Sequence, residues 1–120
     1  MAAQSQLQPV WLVSDGRVLA SAMRATTRPD RRRGLIGVRS VTYPLVIDPC
    51  NWVHSIGMRS VIDVVYLDAD SVVIAAETLK PWRVGPYTRL SRLVIEAPPG
   101  FIEKWNIAPG TKIEVRNVES

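Results

Sequence analysis

Cysteine occurs once in this 120-residue chain, at position 50, and histidine once, at position 54. A lone cysteine closes no internal disulfide, so packing rather than cross-linking must hold the fold. Two soft ligands also fall short of a zinc set, which takes three or four. The rest would have to be carboxylates such as Asp48, Asp63 or Glu96. The chain therefore reads as a domain that folds with no metal and no cofactor. No apolar run approaches the ~20 residues that span a bilayer. The opening MAAQSQLQPVWLV carries no basic stretch followed by a long apolar run, so no export signal is expected. The default expectation is a soluble, cytoplasmic protein with no membrane partner. Internal repeats and linker-like stretches are also missing.

Apolar residues make up 47% of the chain, enough for one domain with its own core. Residues 1–9 read as a polar tail and residues 10–120 as the domain. The net charge is +4, and much of the excess lies in Arg24, Arg28, Arg31, Arg32, Arg33 and Arg39. Such a block is one footprint of nucleic-acid binding. Nucleic-acid modules add interleaved aromatics or a fold signature, and neither surrounds this block. The simpler reading is a solvated surface that keeps a small protein in solution.

The chain divides into short apolar runs with turn signals between them. VWLVS and RVLASAM flank Asp15-Gly16, a hairpin signal because both turn positions need positive φ. TTRPDRRRGLIG offers Thr27 or Asp30 as a helix cap and Gly34 or Gly37 as a stop, too charged for a core helix. YPLVIDPC, VIDVVYLD, VVIAAETL and RLSRLVIEAP follow as strands, with KPWRVGPY as a loop. PPGFIEKWNI gives one or two helical turns, and PGTKIEVRNV closes as a strand. Only the stretch from 24 to 40 is long enough to carry a crossover helix. The pattern predicts a mainly β single domain: an antiparallel sandwich or partly closed barrel of about seven strands with one or two short helices.

RRRGLIG (31–37), PCNWVHSIGMRSVIDVVYLD (49–68), LKPWRVGP (79–86) and VIEAPPGFIEKWNIAPGTKIEV (94–115) are together similar to the family catalogued as domain of unknown function 192. The resemblance runs over about residues 10–117. Its shared positions fall on Arg33, Gly34, Leu35, His54, Met58, Asp63, Pro81, Glu96, Pro98 and Gly100. Gly110-Thr111 departs from the family's Gly-Asp, and Ile56-Gly57 stands where an aromatic usually precedes the methionine. Many relatives carry an export signal that is not seen here. The resemblance implies a compact, mainly β domain and no particular activity.

Cys50 and His54 form the first candidate constellation. On a strand their spacing puts both side chains on one face about 13 Å apart, at ~3.3 Å per residue. Contact requires the segment to turn, which Asn51 and Gly57 permit. Were they to touch, with Asp48 or Asp63 orienting the imidazole, they would suit a small hydrolase. The alternative is a packed thiol and a hydrogen-bonded histidine. Asp63 interrupts the most apolar strand, and a buried carboxylate needs a partner. Arg33, Arg59 or loop amides are the candidates. Trp52, Trp82 and Tyr87 supply flat apolar surface. The leading expectation is a non-enzymatic domain that binds a small ligand or a protein partner in a polar pocket near residues 50–63 and 79–87. Its residues would be Arg33, His54, Met58, Asp63, Trp82 and Glu96.

Overall fold

Asp15 and Gly16 both take positive φ, 51° and 74°. They join β1 (Gln8–Ser14) to β2 (Arg17–Ala25) as the hairpin that the Asp-Gly pair demands. In this computed structural model, which describes residues 6–118, five more strands follow: β3 (Leu45–Ile47), β4 (Ile62–Leu67), β5 (Val73–Leu79), β6 (Leu93–Ala97) and β7 (Glu114–Asn117). Two short helices, α1 (Arg28–Arg33) and α2 (Phe101–Lys104), complete the domain. The expected tail overlaps β1 at residues 8 and 9, and residues 1–5 lie outside the described range.

All seven strands belong to one sheet, ordered β5-β4-β6-β3-β2-β1-β7. It is not closed into a barrel. Its edge strands are β5 and β7, and the isolated bridge from Val72 to Lys112 links the segments that lead into them. Antiparallel pairing is corrected at one place. β2 and β3 run parallel, Met23 opposite Leu45 and Ala25 opposite Ile47. Parallel neighbours need a long crossover, and residues 26–44 supply it by way of α1.

α1 forms for local reasons. The Thr27 side chain accepts the Asp30 amide at 3.3 Å, and a proline occupies the first turn. Arg31 to Arg33 end the helix, where cations suit the dipole, and Gly34 leaves it with φ +50°. No α1 residue is buried.

The sheet is covered on both faces, so β4 is buried along its whole length. Alternation sends Ile62, Val64 and Tyr66 to one face with Leu45, Ile47 and Val94, where Leu35, Val41, Val53 and Met58 pack over them. Val65 and Leu67 point to the other face with Val46, Ile95 and Ala97, under Phe101, Ile107 and Ile113. Two carboxylates are buried in this sheet, Asp63 and Glu96. Glu96 stands opposite Val64 and Asp63 opposite Ala97, so the two acids lie on opposite faces.

Candidate functional site

Residues 50–58 do not form a strand. They run beside the 80–88 loop, which props them from behind. Ser55 N donates to Arg83 O at 2.7 Å, Gly85 N to Val53 O at 2.8 Å, and Thr88 N to Asn51 O at 2.9 Å. The buried Ser55 hydroxyl donates to the Lys80 carbonyl and accepts the Arg83 amide at 2.8 Å. At the other end, Cys50 N donates to Arg92 O at 2.8 Å, and Ser91 Oγ donates to Cys50 O at 2.9 Å. Gly85 is needed where it stands. A Cβ there would lie 2.8 Å from the Tyr66 hydroxyl and 3.1 Å from the Val53 carbonyl.

In front of this segment is a cavity of about 610 Å³, facing α1. Arg28, Arg31, Arg32 and Arg33 form one wall, and the stretch from Pro49 to His54 forms another. Ser91 and Arg92 close a side, and Met58, Ile47 and Glu96 also line the space. Arg31 braces the corner, its guanidinium donating to Thr26 O at 3.2 Å and Pro49 O at 3.3 Å. Arg92 pairs with Asp48 at 3.2 Å, and Arg24 reaches the same carboxylate at 3.6 Å. Arg28, Arg32 and Arg33 have no acid partner among the described residues.

Glu96 is the unusual member. Its residue is 3% exposed, and its Oε1 is buried without a hydrogen-bond partner. Burial pushes its carboxyl up to about 7. Gly34 makes room for it, since a Cβ at that position would come within 3.1 Å of Oε1. A buried polar atom left unpaired costs on the order of 1–3 kcal/mol, so it calls for a cause other than packing.

Of the residues singled out from the sequence, the structure brings Arg33, His54, Met58 and Glu96 to this cavity, together with Cys50. It does not bring Asp63 or Trp82. Asp63 lies on the opposite face, where Oδ2 accepts the amides of Gly100 at 3.1 Å and Ile102 at 2.9 Å, and Oδ1 accepts the Thr78 hydroxyl at 2.9 Å. Its partners are thus loop amides and a hydroxyl rather than Arg33 or Arg59. Trp82 has φ +62° and is 64% exposed on the outside of the propping loop. The cavity is bounded by residues 28–36 where the sequence pointed to 79–87. Arg28, Arg31 and Arg32 also line it, residues that the sequence marked only as part of a basic block, and the β2–β3 crossover brings them there; Asn51, Ser91 and Arg92 line it too and carried no site signal.

Cys50 and His54 share the cavity with other partners. The Cys50 thiol donates to Trp52 O at 3.4 Å, and His54 Nδ1 accepts the Ile56 amide at 3.2 Å. Burial pushes the thiol up, and the charge of Glu96 adds to this against the opposing pull of Arg31 and a backbone hydrogen bond with Trp52. A thiol held protonated is a poor nucleophile. Iodoacetamide labelling of the native protein near pH 6.5 is therefore expected to be slower than that of a free thiol. Faster labelling would overturn this account of Cys50 and favour covalent chemistry. Among the described residues, no three histidine, cysteine or acidic side chains group as a metal site.

The chain folds as an open, mainly β sheet in a single domain, with an arginine-walled cavity on one face. Residues 10–115 match the model of domain of unknown function 192, described as an uncharacterized ACR, and the protein belongs to that family. Its curated relatives include the UPF0127 protein of Pyrococcus furiosus, 36% identical over 62 residues (52% of this chain and 53% of that one). The UPF0127 protein of Thermococcus kodakarensis is 33% identical over 95 residues, covering 74% of this chain and 60% of that one. The matches thus span little more than half the length of these relatives. Two crystal structures share the fold. A protein of unknown function from Novosphingobium aromaticivorans has a TM-score of 0.75 at 17% identity, over 94% of this chain and 88% of that one. A putative transcription regulator from Sinorhizobium meliloti has a TM-score of 0.70 at 15% identity, over 96% and 98%. No helix among the described residues is long and apolar enough to cross a membrane.

Proposed function

We propose that the protein is a binding domain for a small polar molecule, held without chemical conversion in the cavity between α1 and residues 49–54. The observation that carries this reading is Glu96 Oε1, buried and unpartnered at a cavity it lines. A ligand donor would satisfy that atom and offset the cost of its burial. A volume of about 610 Å³ suits a small ligand, since such sites run from roughly 300 to 1,000 Å³. A few polar groups converging on a partly apolar wall are the usual means of fixing a ligand's orientation. Function of this kind draws on stability, because the empty site keeps a carboxylate out of water.

The test is amide-resolved NMR with a fragment library of carboxylates, phosphate esters and polyols. Shifts are expected at Gly34, Leu35, Cys50, His54 and Glu96, and they should vanish in Glu96→Leu. Shifts gathered elsewhere, or unchanged in that variant, would remove the cavity as the site.

A further inference from the structure

We propose that the cavity takes a nucleoside monophosphate, with its phosphate on the Arg28, Arg32 and Arg33 wall, a ribose hydroxyl on Glu96 and its base against the Trp52 indole. The proposal rests on the reading of the cavity as a small-ligand site and names the ligand from three features of its lining.

The first is charge. Arg28, Arg32 and Arg33 line one cavity, and their guanidinium groups make no ion pair and no side-chain hydrogen bond among the described residues. Three open guanidiniums exceed what one carboxylate neutralises. They match a phosphomonoester, which carries close to two charges and accepts forked N–H donors.

The second is Glu96. A carboxylate buried beside a phosphate-binding wall would repel a bare anion. It needs a ligand that also brings a donor. A ribose hydroxyl meets that need, as acidic side chains do in other nucleotide sites. Glu96 sits directly against Gly34, the residue that follows the arginines, so anion wall and acceptor adjoin.

The third is Trp52. It lines the cavity and is 59% exposed, yet it is held in place. Its Nε1 donates to Gly85 O at 2.8 Å, and its ring meets Tyr87 edge-on with centroids 6.3 Å apart. A fixed, open indole is a stacking platform, and stacking accepts any base because every base has a π-face.

Isothermal titration at pH 8 and low salt tests this with adenosine and uridine 5′-monophosphates, adenosine, ribose 5-phosphate, inorganic phosphate and an adenine hexadeoxynucleotide. Both monophosphates are expected to bind at least tenfold more tightly than adenosine or ribose 5-phosphate. Trp52→Ala should weaken them roughly tenfold and leave ribose 5-phosphate unchanged, while Trp52→Phe restores most of the loss. The double change Arg32→Gln with Arg33→Gln should weaken monophosphates and ribose 5-phosphate together and spare adenosine. Equal binding of ribose 5-phosphate and the monophosphates, indifferent to Trp52→Ala, would overturn the nucleotide assignment. So would binding of the hexanucleotide alone, which would point to a nucleic-acid surface. Fragment shifts at the cavity without monophosphate binding would reject this inference only. No shifts at the cavity with any probe would reject the small-ligand reading too.

Discussion

Between pH 5 and pH 8 the protein is expected to lose about 2–3 kcal/mol of stability, and Glu96→Gln is expected to abolish most of that loss. The folded Glu96 carboxyl titrates at about 7 against an ordinary 4.5. An acid with a raised folded value binds more protons folded than unfolded between those two limits. Stability therefore falls as pH rises from about 4.5 to about 7 and levels off above. A gap of this size is worth ~3 kcal/mol at 1.36 kcal/mol per pH unit, and most of it falls in the stated window. Cys50, Arg31 and Tyr66 also face this region, as do His54 and the other α1 arginines that line the cavity. The variant isolates the carboxyl from them. At pH 8, Glu96→Gln should exceed the wild type by ~2 kcal/mol, because it removes an unpaired buried charge. Urea unfolding followed by tryptophan fluorescence at several pH values measures both curves. Parallel curves for the two proteins would show that Glu96 does not titrate as its burial requires. A variant that gains stability also keeps its fold, so loss of ligand in Glu96→Gln cannot be put down to unfolding.

Asp63→Asn is expected to act in the opposite direction, costing about 3 kcal/mol. The carboxylate accepts two backbone amides at the start of α2 and one hydroxyl from β5. Hydrogen bonds to a charged acceptor contribute ~1.5–3 kcal/mol each, and a buried donor left unpaired costs ~1–3 kcal/mol. The asparagine amide keeps one oxygen and turns its NH₂ toward groups that are themselves donors. α2 is only four residues long and has no side-chain cap of its own, so Asp63 does the work of one. Thr78→Val should cost less, because it removes a single neutral donor. An Asp63→Asn protein that unfolds at the wild-type urea midpoint with an unchanged slope would show that the carboxylate is not needed. Both acids, Asp63 and Glu96, are buried in neighbouring strands, but one has every oxygen satisfied by the fold and the other does not.

The strand count, both helices, the Asp15-Gly16 hairpin and a helix cap at Thr27 or Asp30 were legible in the sequence because each depends on neighbours in the chain, and the structure takes Thr27. Turn residues demand a backbone conformation wherever they occur, and alternation marks strands without knowledge of their partners. The need of Asp63 for a partner was equally legible, since burial follows from the apolar run around it. Its partners were not. Gly100 and Ile102 are 37 and 39 residues away, and only pairing of β4 with β6 brings them near.

The candidate site divides in the same way. Arg33, His54, Met58 and Glu96 could be named from the chain because they fall in segments whose order and spacing resemble a family. What placed them around one cavity was the parallel β2–β3 pair, which swings α1 over the face where Glu96 points. Asp63 was grouped with them because spacing along a chain does not reveal which face of a sheet a side chain takes. A shift of one residue in register moves every side chain to the other face, and register is set by tertiary pairing. The sequence by itself determined which residues turn, which extend and that Asp63 must be buried, since those depend on local sterics and solvation. The tertiary structure alone decided which of the two acids would be satisfied by the fold and which would be left open, because that depends on groups far apart in the chain.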